Sequence, residues 1–241
     1  MKELVNKLLE YEVLYGCRLQ SLLTLLEEYN ISYKLDKSNG IRNVVIDVNV
    51  RKVGLMEIDG HVVLGAHYDA WPDSKGINDN YCAISALIKF IITAKERKVK
   101  EHIKVVFFDK EESGMLGSRE YVRKYSNHIK YAFIFDIVGF GDRLVRCKSE
   151  TEIDVDLSKH GVVNLNTNLP SDNLSFYLYY VPSVLIVSIP NDDIVIEGND
   201  AKLIGNKFYE AFHNGIYDND LNYITWSTVD DTYKLLCNVY F

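Results

Sequence analysis

Three short apolar runs, each closing on metal-ligating or acidic side chains, constrain this chain more than any other feature. They are HVVLGAHYDA (61–70), IKVVFFDKEES (103–113) and YAFIFD (131–136). Runs of this length, rich in Val, Ile and Phe, read as buried strands. Between them lie stretches of helical spacing. Ala83, Leu87, Phe90, Ile91 and Ala94 recur within 81–96, and Leu116, Tyr121 and Val122 within 114–125. Alternation of strand and helix is the order of an α/β sheet that is at least partly parallel. In open sheets of that kind ligands gather beyond the carboxyl ends of the strands. His67 and Asp69, Glu111 and Glu112, and Asp136 are therefore expected at one site.

Residues two apart on a strand point to the same face, so His67 and Asp69 can act together. One imidazole nitrogen can bind a metal while the other donates to a carboxylate, which fixes the tautomer and the ring orientation. Asp79, between Asn78 and Asn80, sits near the start of the 81–96 helix. It is a further ligand candidate on a loop pinned by two regular elements. A lone His-x-Asp on an apolar strand is more often a satisfied core histidine than a metal site. Recurrence of the pattern at three strand ends is what favours the metal reading here.

The rest of the chain adds cover. Leu4, Val5, Leu8 and Leu9, then Leu19, Leu22, Leu23 and Leu26, form two amphipathic helical runs broken at Gly16, read as helices that cover the sheet. NVVIDV (43–48) reads as a strand, and 142–148 and 154–167 as strands or connecting segments. Residues 171–190 combine a polar loop, an aromatic stretch and a last apolar strand. From 191 to 222 the chain is acidic and Asn-rich around one helical stretch, 201–212. This insertion is expected to be a surface excursion. A lid or a subunit contact in a homo-oligomer is the alternative. Residues 224–241 read as a turn leading into a final helix.

With 241 residues, 47% of them hydrophobic, and no linker or repeat, one domain over 1–241 is expected. The net charge of −7 argues against a nucleic-acid partner, and the basic stretch 95–104 reads as a solvated helix end and loop. The apolar pattern of MKELVNKLLEYEVL is interrupted by acidic residues, so it is read as neither signal peptide nor membrane span. Cys17, Cys82, Cys147 and Cys237 lack zinc-ribbon or redox-pair spacing. Reduced thiols in a cytoplasmic protein are the expectation.

Taken together, GAHYDA, GINDN, VVFFDKEESGMLGSREYV, FIFDIVG, SDNLSF and WSTVDDT, in this order, resemble the zinc exopeptidase family of bacterial leucyl aminopeptidases and glutaminyl cyclases. The resemblance implies a three-layer α/β sandwich with a mixed, mostly parallel sheet and two zinc ions at the strand ends. His67 and Asp136 would hold one metal, Asp79 would bridge both, and Glu112 would ligate the other. Glu111 would be the general base and Asp69 would orient His67. The Asp79–Asn80 peptide bond would be cis. The substrate would be a peptide with a free N-terminus, its ammonium drawn by the surplus negative charge.

Two positions depart from the family. Its last ligand, a His before Thr, is Ser227 here, and a neutral hydroxyl is a poor zinc ligand. The metal held by Glu112 should be weakened or lost, while His67, Asp79 and Asp136 keep a full set. The cyclases use the broken site, which ranks that activity last. His213 in the insertion is the candidate substitute. In SDNLSF the usual His after Asp172 is Asn173. Asp172 reads equally as a pocket residue and as a turn residue. Two readings lead: an aminopeptidase-like hydrolase, and a degenerate member that binds peptides or a partner without catalysis.

Overall fold

The computed structural model describes residues 1–49, 52–53, 56–57, 60–149, 151, 153–208 and 218–241. Two helices lead, α1 (Lys2–Tyr15) and α2 (Arg18–Glu28), separated at Gly16 as the break in periodicity predicts. Each buries one leucine-rich stripe: Leu4, Val5 and Leu8 on α1, and Leu19, Leu22, Leu23 and Leu26 on α2. The strands β1 (Lys34–Ser38) and β2 (Ile41–Asp47) follow, then a separate pair, β3 (Lys52–Val53) and β4 (Met56–Glu57).

The central unit is β5 (His61–His67), α3 (Cys82–Ala94), β6 (Ile103–Phe108), α4 (Leu116–Tyr125) and β7 (Ile129–Phe135). The remainder comprises β8 (Arg143–Cys147), β9 (Val163–Leu165), α5 (Asn173–Tyr177), β10 (Ser183–Ile189), β11 (Ile194–Glu197), β12 (Asp200–Leu203) and a last helix, Trp226–Tyr240. Among the described residues ten strands form one sheet in the order β1-β2-β6-β5-β7-β10-β8-β9-β12-β11. Five neighbouring pairs are parallel and four antiparallel, so the sheet is mixed with a slight parallel majority.

The position of β5 decides where the site lies. It is parallel to β6 on one side and to β7 on the other. The chain leaves β5 sideways to β6, then crosses back over β5 to reach β7. Right-handed crossovers in opposite directions put their helices on opposite faces. α3 accordingly packs in the same core as α1, α2 and the last helix, whereas α4 packs with α5 in a second core. Alternate strand residues feed the two cores: Val62, Leu64, Phe107 and Phe133 on the first side, Val63, Val106, Phe108 and Ile134 on the other. Buried on both faces, β5 is continuously apolar in the middle, and the strand order reverses direction at its carboxyl end.

The structure corrects one element. The helical stretch expected over 201–212 begins as a strand: Ala201 to Leu203 belong to β12, which pairs antiparallel with β11. Gly198 and Asn199 form the two-residue connection, a hairpin signal that the helical spacing masked. Asp193 anchors the chain after β12, its carbonyl accepting from the Ile204 and Gly205 N–H groups and its carboxylate from Phe208 N–H. Helical geometry starts only at Lys207 and Phe208, and residues 209–212 lie outside the described residues. Within the stretch read as an insertion, 194–203 therefore extends the sheet edge. The four cysteines are free thiols, and no helix among the described residues is long and apolar enough to cross a membrane.

Candidate metal centre

The three central strands deliver their acidic ends to one place. His67 is the last residue of β5, paired in register with Phe108 of β6. Asp136 directly follows β7, on the other side. Glu111 and Glu112 lie in the turn after β6, which closes through the Gly114 and Met115 N–H groups bonding to Glu111 O. Asp109 belongs to the scaffold: its carboxylate accepts from Arg42 N–H at 2.9 Å, and its carbonyl from Gly117 N–H at 2.8 Å. A Cβ on Gly117 would lie 2.3 Å from Asp109 O and 2.5 Å from Asn43 Oδ1, so the turn accepts only glycine there. This is the physical content of the G-M-L-G-S segment.

Asp79 arrives from the start of α3. Its flanking asparagines fasten the turn: Asn80 Nδ2 donates to Phe135 O at 2.8 Å, and Asn78 Oδ1 accepts from Gly139 N–H at 2.8 Å. The Asp79–Asn80 peptide bond is cis. His67 Nε2 lies 2.8 Å from Asp79 Oδ1 and 3.4 Å from Asp136 Oδ1. One ligand atom from each of His67, Asp79 and Asp136 lies within 4.8 Å of the others. His67 Nε2, Asp79 Oδ1 and Asp136 Oδ1 are buried, and none takes part in a hydrogen bond. Native interiors rarely leave such groups unused. Three orphaned atoms of imidazole and carboxylate type, converging on one point, fit a divalent cation, and imidazole with carboxylates is a zinc donor set. His67, Glu111 and Glu112 form a second such group, sharing the histidine.

Asp69 does more than the sequence indicates. His67 Nδ1 is 3.1 Å from the backbone carbonyl of Asp69 and 3.5 Å from its Oδ1. The Asp69 carboxylate meanwhile accepts the backbone N–H groups of Glu111 at 2.9 Å and Glu112 at 3.1 Å. The residue thus ties the β5 end to the glutamate turn, and its carbonyl is the nearer partner of the imidazole. Burial opposes its charge, but the His67 hydrogen bond and the two backbone donors together hold its pKa below the ordinary value.

The other acids are pushed the opposite way. Burial, followed by the charges of Asp172, Asp136 and Asp79, lifts Glu111 to about 9. Burial and Asp79 lift Glu112 to about 8. Burial, with Asp136 and Asp69 behind it, lifts Asp172 to about 7. Asp79 is raised by burial and by Asp136. Burial disfavours the imidazolium of His67, yet the carboxylates of Asp136 and Asp79 outweigh it and raise its pKa well above the usual value. A pocket of this kind holds either protons or a cation.

Three contributors carry no signal in the sequence reading. Asp218, buried, accepts with Oδ1 from Asn78 N–H at 3.0 Å and Asp79 N–H at 2.9 Å, 140 and 139 residues away. Burial and the Asp79 charge raise it to about 7. Ser171 Oγ donates to Asp136 Oδ2 at 2.8 Å, fixing the oxygen that faces away from His67. Arg18 reaches the loop ahead of Asp79 from α2. No short-range pattern announces partners this far apart. Asp172 is buried at the start of α5, and both its carboxylate oxygens lack a hydrogen-bond partner, which favours the pocket reading over the turn reading.

Ser227 is exposed on the first turn of the last helix. Thr228 and Thr232, buried beside it, spend their hydroxyls on Thr225 O and Thr228 O of the same segment. Among the described residues the last helix adds no side chain to either ligand group. His213 lies outside the described residues.

Comparison with known proteins bears on the family and the fold. The model of peptidase family M28 matches residues 43–240. The Bacillus subtilis aminopeptidase YwaD is 28% identical over 121 residues, 48% of this chain but only 26% of that protein. The structure of LapA, an aminopeptidase of Legionella pneumophila, superposes with a TM-score of 0.70 at 16% identity, over 98% of this chain and 68% of LapA. BSAP, a zinc aminopeptidase from Bacillus subtilis, superposes with a TM-score of 0.61 at 19% identity, over 81% of this chain and 48% of BSAP. At such identities these likenesses show the fold.

Proposed function

The chain belongs to peptidase family M28, and on that premise we propose that it is a zinc-dependent hydrolase removing N-terminal residues from peptides. The observation that carries the reading is the convergence of buried His67 Nε2, Asp79 Oδ1 and Asp136 Oδ1, unused by any hydrogen bond, at the switch point of the sheet. These three residues would hold one zinc ion. Three protein ligands with a remaining open position are the pattern of catalytic rather than structural zinc. A zinc ion in such a site supplies Lewis-acid polarisation of the scissile carbonyl and makes a water molecule acidic enough to attack near neutral pH.

The protein's own residues do the rest. Glu111 contributes a carboxylate oxygen within 4.8 Å of a His67 nitrogen. With a cation in the site to offset the burial and negative charges that raise its pKa, its carboxylate accepts a proton from the attacking water and returns it to the departing amine. Asp69 holds Glu111 and Glu112 in place through their backbone N–H groups. Asp172 offers two unpaired carboxylate oxygens to the substrate's ammonium group. Glu112 lines the same pocket, and once a cation offsets the burial and the Asp79 charge that raise its pKa, its carboxylate favours a free N-terminus over a blocked one.

The test combines elemental analysis with turnover of peptides carrying free N-termini. About one zinc per chain and hydrolysis abolished by Glu111→Gln are expected. Stoichiometric zinc without turnover on a broad peptide panel would sink the hydrolase. It would leave the second reading, a family member that binds peptides without cleaving them, which the exposed Ser227 at the family's last histidine position favours.

A further inference from the structure

Arg18 opens α2, in the stretch ahead of the residues matched by the family. Its side chain is only 11% exposed and turns toward the metal centre. Nε donates to Tyr68 O at 2.6 Å, Nη1 to Lys75 O at 2.8 Å, and Nη2 to Gly76 O at 3.4 Å. The guanidinium also lies over the ring of Tyr81, 3.7 Å from its centroid. Glu12 of α1 balances the charge, 3.4 Å from Nη1, and accepts the Tyr81 hydroxyl at 2.8 Å.

These partners sit at the two ends of one loop. Tyr68 separates His67 from Asp69, whereas Lys75 and Gly76 lead into the turn that carries Asp79. A single planar group therefore fastens the chain where it leaves His67 and again where it approaches Asp79. Within the loop Ser74 N–H donates to Trp71 O and Gly76 N–H to Ser74 Oγ, and neither bond reaches Tyr68. The fit is close: a Cβ on Gly76 would lie 2.8 Å from Arg18 Nη1 and 2.7 Å from the Ala70 methyl. A guanidinium suits this task because its donors are fixed in a fork, while an ammonium is a single point of attachment.

We propose that Arg18 is a positioning residue that sets the spacing of His67 and Asp79 by closing the loop between them, so that the leading helices serve the metal centre as well as covering the sheet. The proposal rests on the reading of His67, Asp79 and Asp136 as metal ligands. An Arg18→Met variant loses all three carbonyl bonds. Arg18→Lys keeps the charge and stem but holds only one end of the loop.

The experiment measures zinc affinity of the full chain by competition with a chromophoric chelator. It is paired with amide hydrogen exchange of residues 68–81 in chelator, which needs no metal. Both variants are expected to bind zinc at least tenfold more weakly, and to exchange faster in 68–81, with β5, β6 and β7 as protected as in the unaltered protein. Arg18→Met is expected to be the more affected. Unchanged zinc affinity in either folded variant would overturn the proposal, and so would loss of protection spread over the whole sheet. If the unaltered protein takes up no zinc, the metal reading fails by itself. Loop exchange then still decides whether Arg18 holds the loop closed.

Discussion

Replacing Asp69 by Asn separates the role that the resemblance implies, orienting His67, from the one that the structure adds, holding the glutamate turn. The Asp69 carboxylate receives the N–H groups of Glu111 at 2.9 Å and Glu112 at 3.1 Å, while the imidazole of His67 is closer to the backbone carbonyl of residue 69. Asparagine keeps that carbonyl and one acceptor oxygen, but turns an NH2 group toward one of the two backbone donors. A hydrogen bond to a charged group contributes about 1.5–3 kcal/mol, and an unsatisfied buried donor costs about 1–3 kcal/mol. With Asp69 largely but not fully enclosed, a loss of about 2 kcal/mol is expected, a fall in Tm of roughly 4–8 °C for a chain of this size. Displacement of the Glu111 turn by about 1 Å should lower kcat by about a hundredfold. Zinc affinity should change by less than about tenfold, since the nearest partner of His67 Nδ1 survives. Differential scanning fluorimetry, chelator competition and peptide turnover read these three quantities on one preparation. A large loss of zinc affinity with an unchanged Tm would refute the reasoning, because it would show that the carboxylate serves the imidazole rather than the turn.

Four further outcomes follow from the geometry. Glu111→Gln should lower kcat by about 10²–10⁴-fold while zinc content by elemental analysis is unchanged, since the proton acceptor is lost but the ligands are not. Asp218→Ala strands the Asn78 and Asp79 N–H groups; it should weaken zinc binding in chelator competition and lower Tm by several degrees, at about 1–3 kcal/mol for each buried donor. Gly117→Ala forces a methyl against Asp109 O and Asn43 Oδ1, and an overpacked site of this kind costs about 1–3 kcal/mol or more, readable as a lower Tm or insoluble expression. The pH dependence has a definite sign. Glu111, Glu112, Asp172 and Asp218 have folded pKa values raised to about 9, 8, 7 and 7. Groups raised in this way stabilise the fold fully below their unfolded values, near 4, and lose that contribution as pH rises through the folded values. Tm in chelator should therefore fall between about pH 5 and pH 9, and zinc should flatten the curve; a Tm in chelator that rises over this range would contradict the clustering of the acids.

Much of the site was legible because its determinants are local. The β5, β6 and β7 runs and the helical spacing of α3 and α4 repeat over a few residues, and ligand-type side chains at successive strand ends imply a shared edge whatever the strand order. The resemblance carried by GAHYDA, GINDN and the EE segment supplied the grouping of His67, Asp79 and Asp136 that the structure brings together. β12 was less legible. AKL and the residues after it satisfy helical spacing, and only pairing with β11 across Gly198 and Asn199 makes them a strand.

The sequence by itself determined the alternation of strands and helices and the acidic chemistry at the strand ends, since composition and periodicity are properties of contiguous residues. Tertiary structure alone decided which backbone groups Asp69 holds, that Asp218 lies under Asp79, and that Arg18 closes the loop between His67 and Asp79. Those contacts join residues 42 to 140 positions apart. A lone polar side chain in a loop or at a helix start has no periodicity to reveal it. Its partner is chosen by where the packed sheet and helices leave an unsatisfied backbone group within reach.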